Sequence, residues 1–240
     1  MKKRNESKIT MAALMMMAAM AMTSCASSKK INGDSNANKD SEIGKNEEDL
    51  DNSYLVLSDA QQDIVKKNNA FALRLFNKVT DMESKVISPM SVSYLMGMLA
   101  NGADGITQQE ILKAIGCEGV SVNDLNELYK AMLLNANHQD KQTTVNIANY
   151  IAVNKNFKLD KNFCQQVSDS YQAGIESLDF TSSKSTDRIN GWCKEKTNGM
   201  IPHIIDQVSA DAVSYLMNAI YFKGTWQNKF NAKDTKLENF

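Results

Sequence analysis

The sequence predicts an α+β fold, because the apolar pattern changes its period partway along the chain. Residues 58–137 carry apolar side chains at the three- and four-residue spacing of amphipathic helices. Residues 145–153 are instead apolar at alternate positions, and 212–222 form an almost unbroken apolar run. Helices that cluster first and strands that interleave later are typical of this class.

Four helices are expected in the first part of the chain. The first begins at Ser58, which forms a capping-box pattern with Gln61. The second begins at about Ser91, after a very short candidate strand at 86–87, and Gly102 breaks it. Both helices are expected to turn their apolar face inward.

The third and fourth helices are shorter. Thr107 with Glu110 is a second capping-box pattern, which predicts the start of the third helix, and Gly116 is a natural stop. The fourth begins at about Asn123. Lys130 is its only basic residue, so it offers no patch for a polyanion such as heparin.

Strands and helices alternate in the remainder. Residues 145–153 are predicted to form a long strand, and Asp160 to cap the helix that follows. The β-branched and aromatic composition of 212–222 suits a strand buried on both faces. The expected order after the capped helix is strand, helix, strand and a further strand-like start, at 175–180, 185–197, 212–222 and 235–240.

Composition excludes several classes of function. The 27 Lys and Arg residues balance 28 Asp and Glu, whereas a dedicated nucleic-acid binder carries a basic stripe. Four Cys are too few for a disulfide scaffold, and two His exclude a His-rich metal centre. Phosphate-loop, zinc-protease and nucleophile-elbow motifs are absent. We therefore assign no catalytic residue, metal or cofactor, and expect His138 and His203 to be surface or capping residues.

The first 24 residues have the pattern of a signal peptide. Four basic residues among the first eight precede the apolar run Met11–Met22, which is too short to span a bilayer. Small residues then precede Cys25, which resembles a bacterial lipoprotein cleavage site. We expect Cys25 to become a lipid-bearing N-terminus that anchors the protein to a membrane outside the cytoplasm. The alternative is an ordinary signal peptide cut near Ala26.

Residues 25–53 are expected to be a disordered tether, since their polar composition offers little to bury, and 54–240 to be the folded domain. The other cysteines are Cys117, Cys164 and Cys193. They show no C-x-x-C spacing, which favours small buried apolar side chains over reactive thiols.

Asn218 is the polar residue that stands out, because it lies inside the last apolar run. A buried amide in a central strand costs several kcal/mol (roughly 2–7) unless its hydrogen bonds are made. One interpretation is that hydroxyls from a neighbouring segment satisfy it. The other places Asn218 at a bulge or a solvent edge.

Three motifs resemble the serpin family. Residues 88–107, which begin Ser-Pro-Met-Ser-Val, resemble the serpin S-P-x-S helix and its continuation. Residues 189–201 are similar to the I-N-x-W and T-x-G-x-I helix end, and residues 218–226 to the N-A-I-Y-F-K-G-x-W strand. The resemblance extends from about Ser58 to Phe240.

The resemblance implies a serpin-like α+β fold, in which N-terminal helices pack on a large central mixed β-sheet. It implies that Ser88, Ser91 and Asn218 are shutter residues under the sheet, and that the serine hydroxyls are the partners of Asn218. It also implies that Trp226 is the breach residue, at the top of the sheet where strand insertion begins.

Serpins inhibit serine proteases, and sometimes cysteine proteases, by a suicide-substrate mechanism in which a cleaved reactive loop inserts into the central sheet. By the resemblance, that loop, its P1 residue and the C-terminal strands lie beyond Phe240. The resemblance therefore predicts the N-terminal portion of a lipid-anchored, extracellular inhibitor of serine endopeptidases, not an enzyme. The alternative is a non-inhibitory or remnant binding or structural lipoprotein.

Overall fold

Six α-helices and three β-strands lie in the part of the chain that the computed structural model describes, which is residues 55–79, 85–136, 143–226, 228–229 and 231–237. A short 3₁₀ turn follows the last strand, at Ala232–Asp234. In chain order the elements are α1 (Asp59–Val79), α2 (Pro89–Asn101), α3 (Gly105–Ala114), α4 (Val122–Asn135), β1 (Thr144–Asn154), α5 (Lys161–Tyr171), β2 (Gly174–Leu178), α6 (Ser183–Lys196) and β3 (Ser214–Lys223).

Most predicted helix starts are confirmed, and one is wrong. The backbone N–H of Ser58 donates to Gln61 Oε1 at 3.0 Å and that of Gln61 to Ser58 Oγ at 3.3 Å, as a capping box requires. The third helix starts before Thr107, because the Asp104 carboxylate accepts the N–H of Gly105 at 2.7 Å and caps α3 there.

Two short strand predictions are also wrong within the described residues. Residues 85–88 have no regular secondary structure, because Ser88 already serves as the N-cap of α2 and Pro89 occupies its first position. Residues 235–237 are likewise irregular, and 238–240 lie outside the described residues. The predicted signal peptide, Cys25, the tether and His138 lie outside them as well.

The strands form a mixed sheet in the order β2-β1-β3. β1 and β2 are parallel from the pair Tyr150 and Gly174 onward, whereas β1 and β3 are antiparallel over nearly their whole length. Since β3 pairs with β1 on one side, it forms one edge of the described sheet.

Buried apolar side chains cover both faces of this sheet. The burial predicted for 212–222 is confirmed for residues 217–220, whereas Val213 and Phe222 are 47% and 43% exposed. One cluster joins helices α1 to α5 to one face, and Ile151 and Val153 of β1 belong to it. The other cluster lies under α6 and includes Tyr150, Ala152 and Met217. Alternation along β1 thus sends successive side chains to opposite cores. None of the helices in the described ranges is long and apolar enough to cross a membrane.

Candidate functional site at the interface of α2 and the sheet

The start of α2 buries two serines that bond to each other. Ser88 Oγ accepts the N–H of Ser91 at 3.3 Å, and the two hydroxyls are 2.8 Å apart. Both residues are buried where α2 packs beneath the sheet. Their hydroxyls therefore serve the N-terminus of α2, whose first N–H groups have no partner inside the helix.

Asn218 is buried, with 3% of its surface exposed, so the solvent-edge interpretation is wrong. It lies in regular register opposite Asn149 of β1, which also excludes a bulge. Its amide Nδ2 donates to Asn149 Oδ1 at 2.8 Å, and Asn149 Nδ2 donates to the carbonyl of Tyr171 at 2.7 Å. This chain of amides ties β3 to β1 and β1 to the end of α5.

The prediction that serine hydroxyls are the hydrogen-bond partners of Asn218 is therefore wrong, because its partner is the side-chain amide of Asn149. Ser88 and Ser91 bond to each other, and Asn149 takes the place predicted for them. Sequence reasoning missed Asn149, although a signal was available. In the alternating pattern of β1 it falls on the same face as the apolar Ile147 and Ile151.

Two buried polar atoms beside this interface have no hydrogen-bond partner among the described residues: Asn218 Oδ1 and the hydroxyl of Tyr94 on α2. A buried acceptor left without a donor costs about 1–3 kcal/mol. Both atoms lie on the face of the sheet that α1 to α5 cover. Each of these two oxygens can still accept a hydrogen bond.

Three tyrosines pack the middle of the same layer. Tyr94, Tyr129 and Tyr171 are fully buried, and their ring centroids are 4.8 to 6.3 Å apart in tilted or edge-on arrangements. The hydroxyl of Tyr171 donates to Asn126 Oδ1 at 2.8 Å. Burial raises the pKa of all three phenols, so they are neutral hydrogen-bonding groups at physiological pH.

The edge strand β3 carries the rest of the predicted site. Met217, Asn218, Ala219 and Ile220 are buried on alternating faces, while the lateral edge of the strand faces away from β1. Trp226 follows the end of β3, and 70% of its surface is exposed. The structure therefore places Trp226 apart from the buried Ser88, Ser91 and Asn218.

The described residues show no arrangement for catalysis or metal binding around the histidine they include. His203 is exposed, and its ring nitrogens contact Asp206 at 2.7 Å and Asn190 at 3.4 Å, with neither a Ser nor a Cys as partner. No group of three or more His, Cys, Asp or Glu within the described ranges could hold a metal ion.

These features define an α+β protein whose mixed sheet is covered on both faces and ends at an edge strand with a buried amide pair. A family profile described as "Serpin (serine protease inhibitor)" matches residues 66–240. The chain belongs to the serpin family, and the predicted serpin-like fold is confirmed.

Several relatives have similar sequences. The chain is 31% identical over 170 residues to serine protease inhibitor 42Dd of Drosophila melanogaster, covering 70% of this chain and 46% of that protein. It is 32% identical over 197 residues to Iripin-2 of Ixodes ricinus, covering 78% and 50%. The chain thus spans about half the length of the curated relatives it matches.

Solved structures agree with the fold. The thermophilic serpin tengpin in its native state aligns with a TM-score of 0.66 at 32% identity, covering 74% of this chain and 45% of that one. Human thyroxine-binding globulin aligns with a TM-score of 0.67 at 26% identity, covering 74% and 49%.

Proposed function

We propose that the protein to which this chain belongs inhibits serine endopeptidases by the suicide-substrate mechanism of serpins. The observation that carries the proposal is the match of residues 66–240 to the serpin family profile. It is supported by β3, which lies at the edge of the described sheet and whose central residues are buried on both faces. A strand added at such an edge gains main-chain hydrogen bonds, and its side chains can enter two existing cores.

The covalent step follows from protease chemistry. The protease serine Oγ attacks the carbonyl carbon of the scissile bond in a reactive loop, and its proton passes through the protease histidine to the leaving amine. The C–N bond breaks and an ester joins loop to protease. Strand addition then separates the ester from the groups that would hydrolyse it. In this mechanism the described sheet is the part that receives the inserted strand.

Within this proposal, Ser88, Ser91 and Asn218 hold α2 and β3 in register beneath the site of strand addition. Their support is their burial and, for Asn218, the hydrogen bond to Asn149. Trp226 is proposed to act at the top of the sheet, and its support is its position just after β3.

The test mixes the full-length gene product with trypsin-like, chymotrypsin-like and elastase-like serine proteases. We expect a band that survives denaturation in detergent and has the summed mass of protease and cleaved inhibitor. The same proteases with their active-site serine blocked are the control and should give no band. Cleavage without a stable band for every protease would contradict the proposal.

A non-inhibitory binding protein is the second candidate, and the structural similarity to thyroxine-binding globulin favours it. In that case the full-length protein would be cut as an ordinary substrate by the same proteases and would form no covalent complex. The protease experiment therefore separates the two candidates.

We also propose that Cys25 carries a lipid that anchors the protein outside the cytoplasm. The pattern of residues 1–25 supports this. We expect the full-length protein to fractionate with membranes and Cys25→Ala to be lost from them. Equal fractionation of both forms would contradict an anchor at Cys25.

A further inference from the structure

Asparagine followed directly by glycine occurs at three places in the described part of the chain, at residues 101–102, 190–191 and 198–199. An asparagine in this setting can react with its own backbone. Glycine has no Cβ to keep its nitrogen away from the preceding side chain, and its backbone rotates freely. Because the three pairs are covalently alike, the fold decides which of them reacts.

The reaction is an intramolecular attack that ends as a hydrolysis. The backbone nitrogen of the glycine loses its proton to water or hydroxide and attacks the Cγ carbon of the asparagine side chain. The bond from Cγ to the amide nitrogen breaks, ammonia leaves and a succinimide ring remains. Water then opens the ring at either carbonyl and gives aspartate or isoaspartate. The side chain can follow this path only if its amide is free to turn toward the next backbone nitrogen.

The amide of Asn190 is held at both ends. Its Oδ1 accepts the N–H groups of Ile204 and Ile205 at 2.8 and 3.1 Å, and its Nδ2 donates to the carbonyl of Ile205 at 2.9 Å. Asn190 and Gly191 also lie inside α6, where the helix fixes the backbone between them. An attack on Cγ would first require these hydrogen bonds to break, so we expect Asn190 to react slowly.

Asn101 is the more informative comparison, because it lies at the end of a helix. It is the last residue of α2, and the N–H of Gly102 donates to the carbonyl of Leu99 at 3.0 Å. The Nδ2 of Asn101 donates to the carbonyl of Gly97 at 2.8 Å and to Asn126 Oδ1 at 2.9 Å. Its Oδ1 accepts from Asn126 Nδ2 at 2.8 Å. A position at a helix end therefore does not by itself free the amide.

Asn198 lacks these restraints. It follows Thr197 at the end of α6, it is exposed, and no hydrogen bond to another described residue holds its side-chain amide. Asn198 and Gly199 both have left-handed backbone conformations, with φ of 49° and 81°, and a Cβ added at Gly199 would meet nothing within 4 Å. The N–H of Gly199 donates to the carbonyl of Lys194 at 2.7 Å. Because helix ends fray, this bond opens more readily than one inside a helix.

We propose that Asn198 is a site of spontaneous deamidation, and that hydrogen bonds protect the amides of Asn101 and Asn190 from the same reaction. The product places a carboxylate just beyond the last turn of α6, where the helix carbonyls already carry partial negative charge. Isoaspartate also lengthens the backbone and so displaces Gly199 from the carbonyl of Lys194. With time the protein therefore acquires a more acidic form in which the end of α6 is weakened. This proposal does not depend on protease inhibition.

Peptide mass spectrometry of the full-length protein tests the order of the three rates. The protein is aged in weakly alkaline buffer and digested at acidic pH, where the reaction is slow. We expect the mass change from amide to acid to accumulate at Asn198 at least about tenfold faster than at Asn101 or Asn190, the factor that two ordinary hydrogen bonds give to a closed state. The control is the protein unfolded in guanidinium chloride, where the three rates should become similar. A native protein in which Asn101 or Asn190 reacts as fast as Asn198 would overturn the proposal.

Isoaspartate provides a second readout. A carboxyl methyltransferase specific for isoaspartate, used as a reagent with a labelled methyl donor, should label the peptide that contains Asn198 in the aged protein. The variant Asn198→Gln keeps an amide but needs a larger ring for the attack, so its peptide should not be labelled. The label is assigned by peptide, because residues 32–33 form another Asn-Gly pair outside the described residues. Equal label on the two versions of the peptide would show that Asn198 is not the site.

The variant Asn126→Ala tests the protection itself. It removes the donor to Oδ1 of Asn101 and one acceptor of its Nδ2, so deamidation at Asn101 should rise about tenfold relative to Asn190. Asn190 keeps its bonds to Ile204 and Ile205 and reports any general loosening of the fold in the same sample. An unchanged ratio of the rates at Asn101 and Asn190 would overturn the protective role of the hydrogen bonds.

Discussion

At the scale of single residues, the amide pair of Asn149 and Asn218 determines how the sheet is held to the helices. It joins β1 to β3 across the register and passes on to the carbonyl of Tyr171. Because both side chains are buried, each lost bond leaves a desolvated polar group. Asn218 could be singled out from sequence because it interrupts an apolar run. Its partner could not, since pairing depends on a register that only the folded sheet defines.

Asn149→Ala should lower the free energy of unfolding of the full-length protein by about 1–3 kcal/mol, because it strands the amide of Asn218 and the carbonyl of Tyr171. Urea unfolding followed by fluorescence measures this. Asn146→Ala is the control on the same strand, since the hydrogen bond that its side chain donates to the carbonyl of Lys196 is long, at 3.5 Å. If both variants lost the same free energy of unfolding, the buried pair of Asn149 and Asn218 would contribute no more to stability than an ordinary side chain of the strand.

At the scale of elements, the close packing of α2 against α4 and α5 depends on a glycine, Gly97. A Cβ added at Gly97 would lie 2.5 Å from the hydroxyl oxygen of Tyr171 and 3.0 Å from Cε2 of Tyr129. The helical periodicity of α2 was visible in the sequence. The need for glycine at this position was not, because the tyrosines come from α4 and α5.

Gly97→Ala should therefore destabilise the protein by about 1–3 kcal/mol, although alanine favours helices. The matched control is Gly191→Ala in α6, where nothing lies within 4 Å of the added Cβ. That change should stabilise by up to about 1 kcal/mol through helix propensity. Opposite signs in thermal or urea unfolding are the expected result; a stabilised Gly97→Ala protein would contradict the packing argument.

At the scale of the whole molecule, the sequence predicted the fold class, the family, and the order of the six helices and three strands that the structure describes, although it also predicted two short strands that are not there among the described residues. These depend on local periodicity and on motif order, which a single chain displays. The start of α3 was mispredicted because the carboxylate of Asp104 caps the helix ahead of the plausible capping box at Thr107 and Glu110. The hydrogen bonds that Glu176 of β2 accepts from Arg188 of α6 and Tyr150 of β1 could not be foreseen, because they join residues from three elements. Long-range contacts of this kind leave no periodic trace.

The pH dependence of stability is also a property of the whole molecule. Hydrogen bonds from Lys155 and Thr181 lower the pKa of Asp179 from 3.8 to about 2, and the pair with Lys155 joins the ends of β1 and β2. Because the folded state binds this proton more weakly, the stabilisation is present above pH 3.8 and is lost as the pH falls from 3.8 towards 2.

Asp179→Asn should thus be less stable than the unmodified protein at pH 6, and the difference should shrink below pH 3.8. Urea midpoints measured from pH 6 down to pH 2.5 test this. Asp211→Asn, an exposed position after α6, should run parallel to the unmodified protein. A constant difference between Asp179→Asn and the unmodified protein at every pH would contradict the assignment.

The antiparallel pairing of β1 with β3 has a consequence for biosynthesis. Asn149 and Asn218 are 69 residues apart in the sequence. At a synthesis rate of about 5–20 residues per second, β3 is therefore made roughly 3–14 s after the residues of β1 with which it pairs. During that interval one edge of β1 has no strand partner, and Tyr150 and Ala152 lack the side chains of Met217 and Ala219 that share their cluster. Slower translation between the two strands therefore lengthens the time for which this edge and this face of β1 are uncovered.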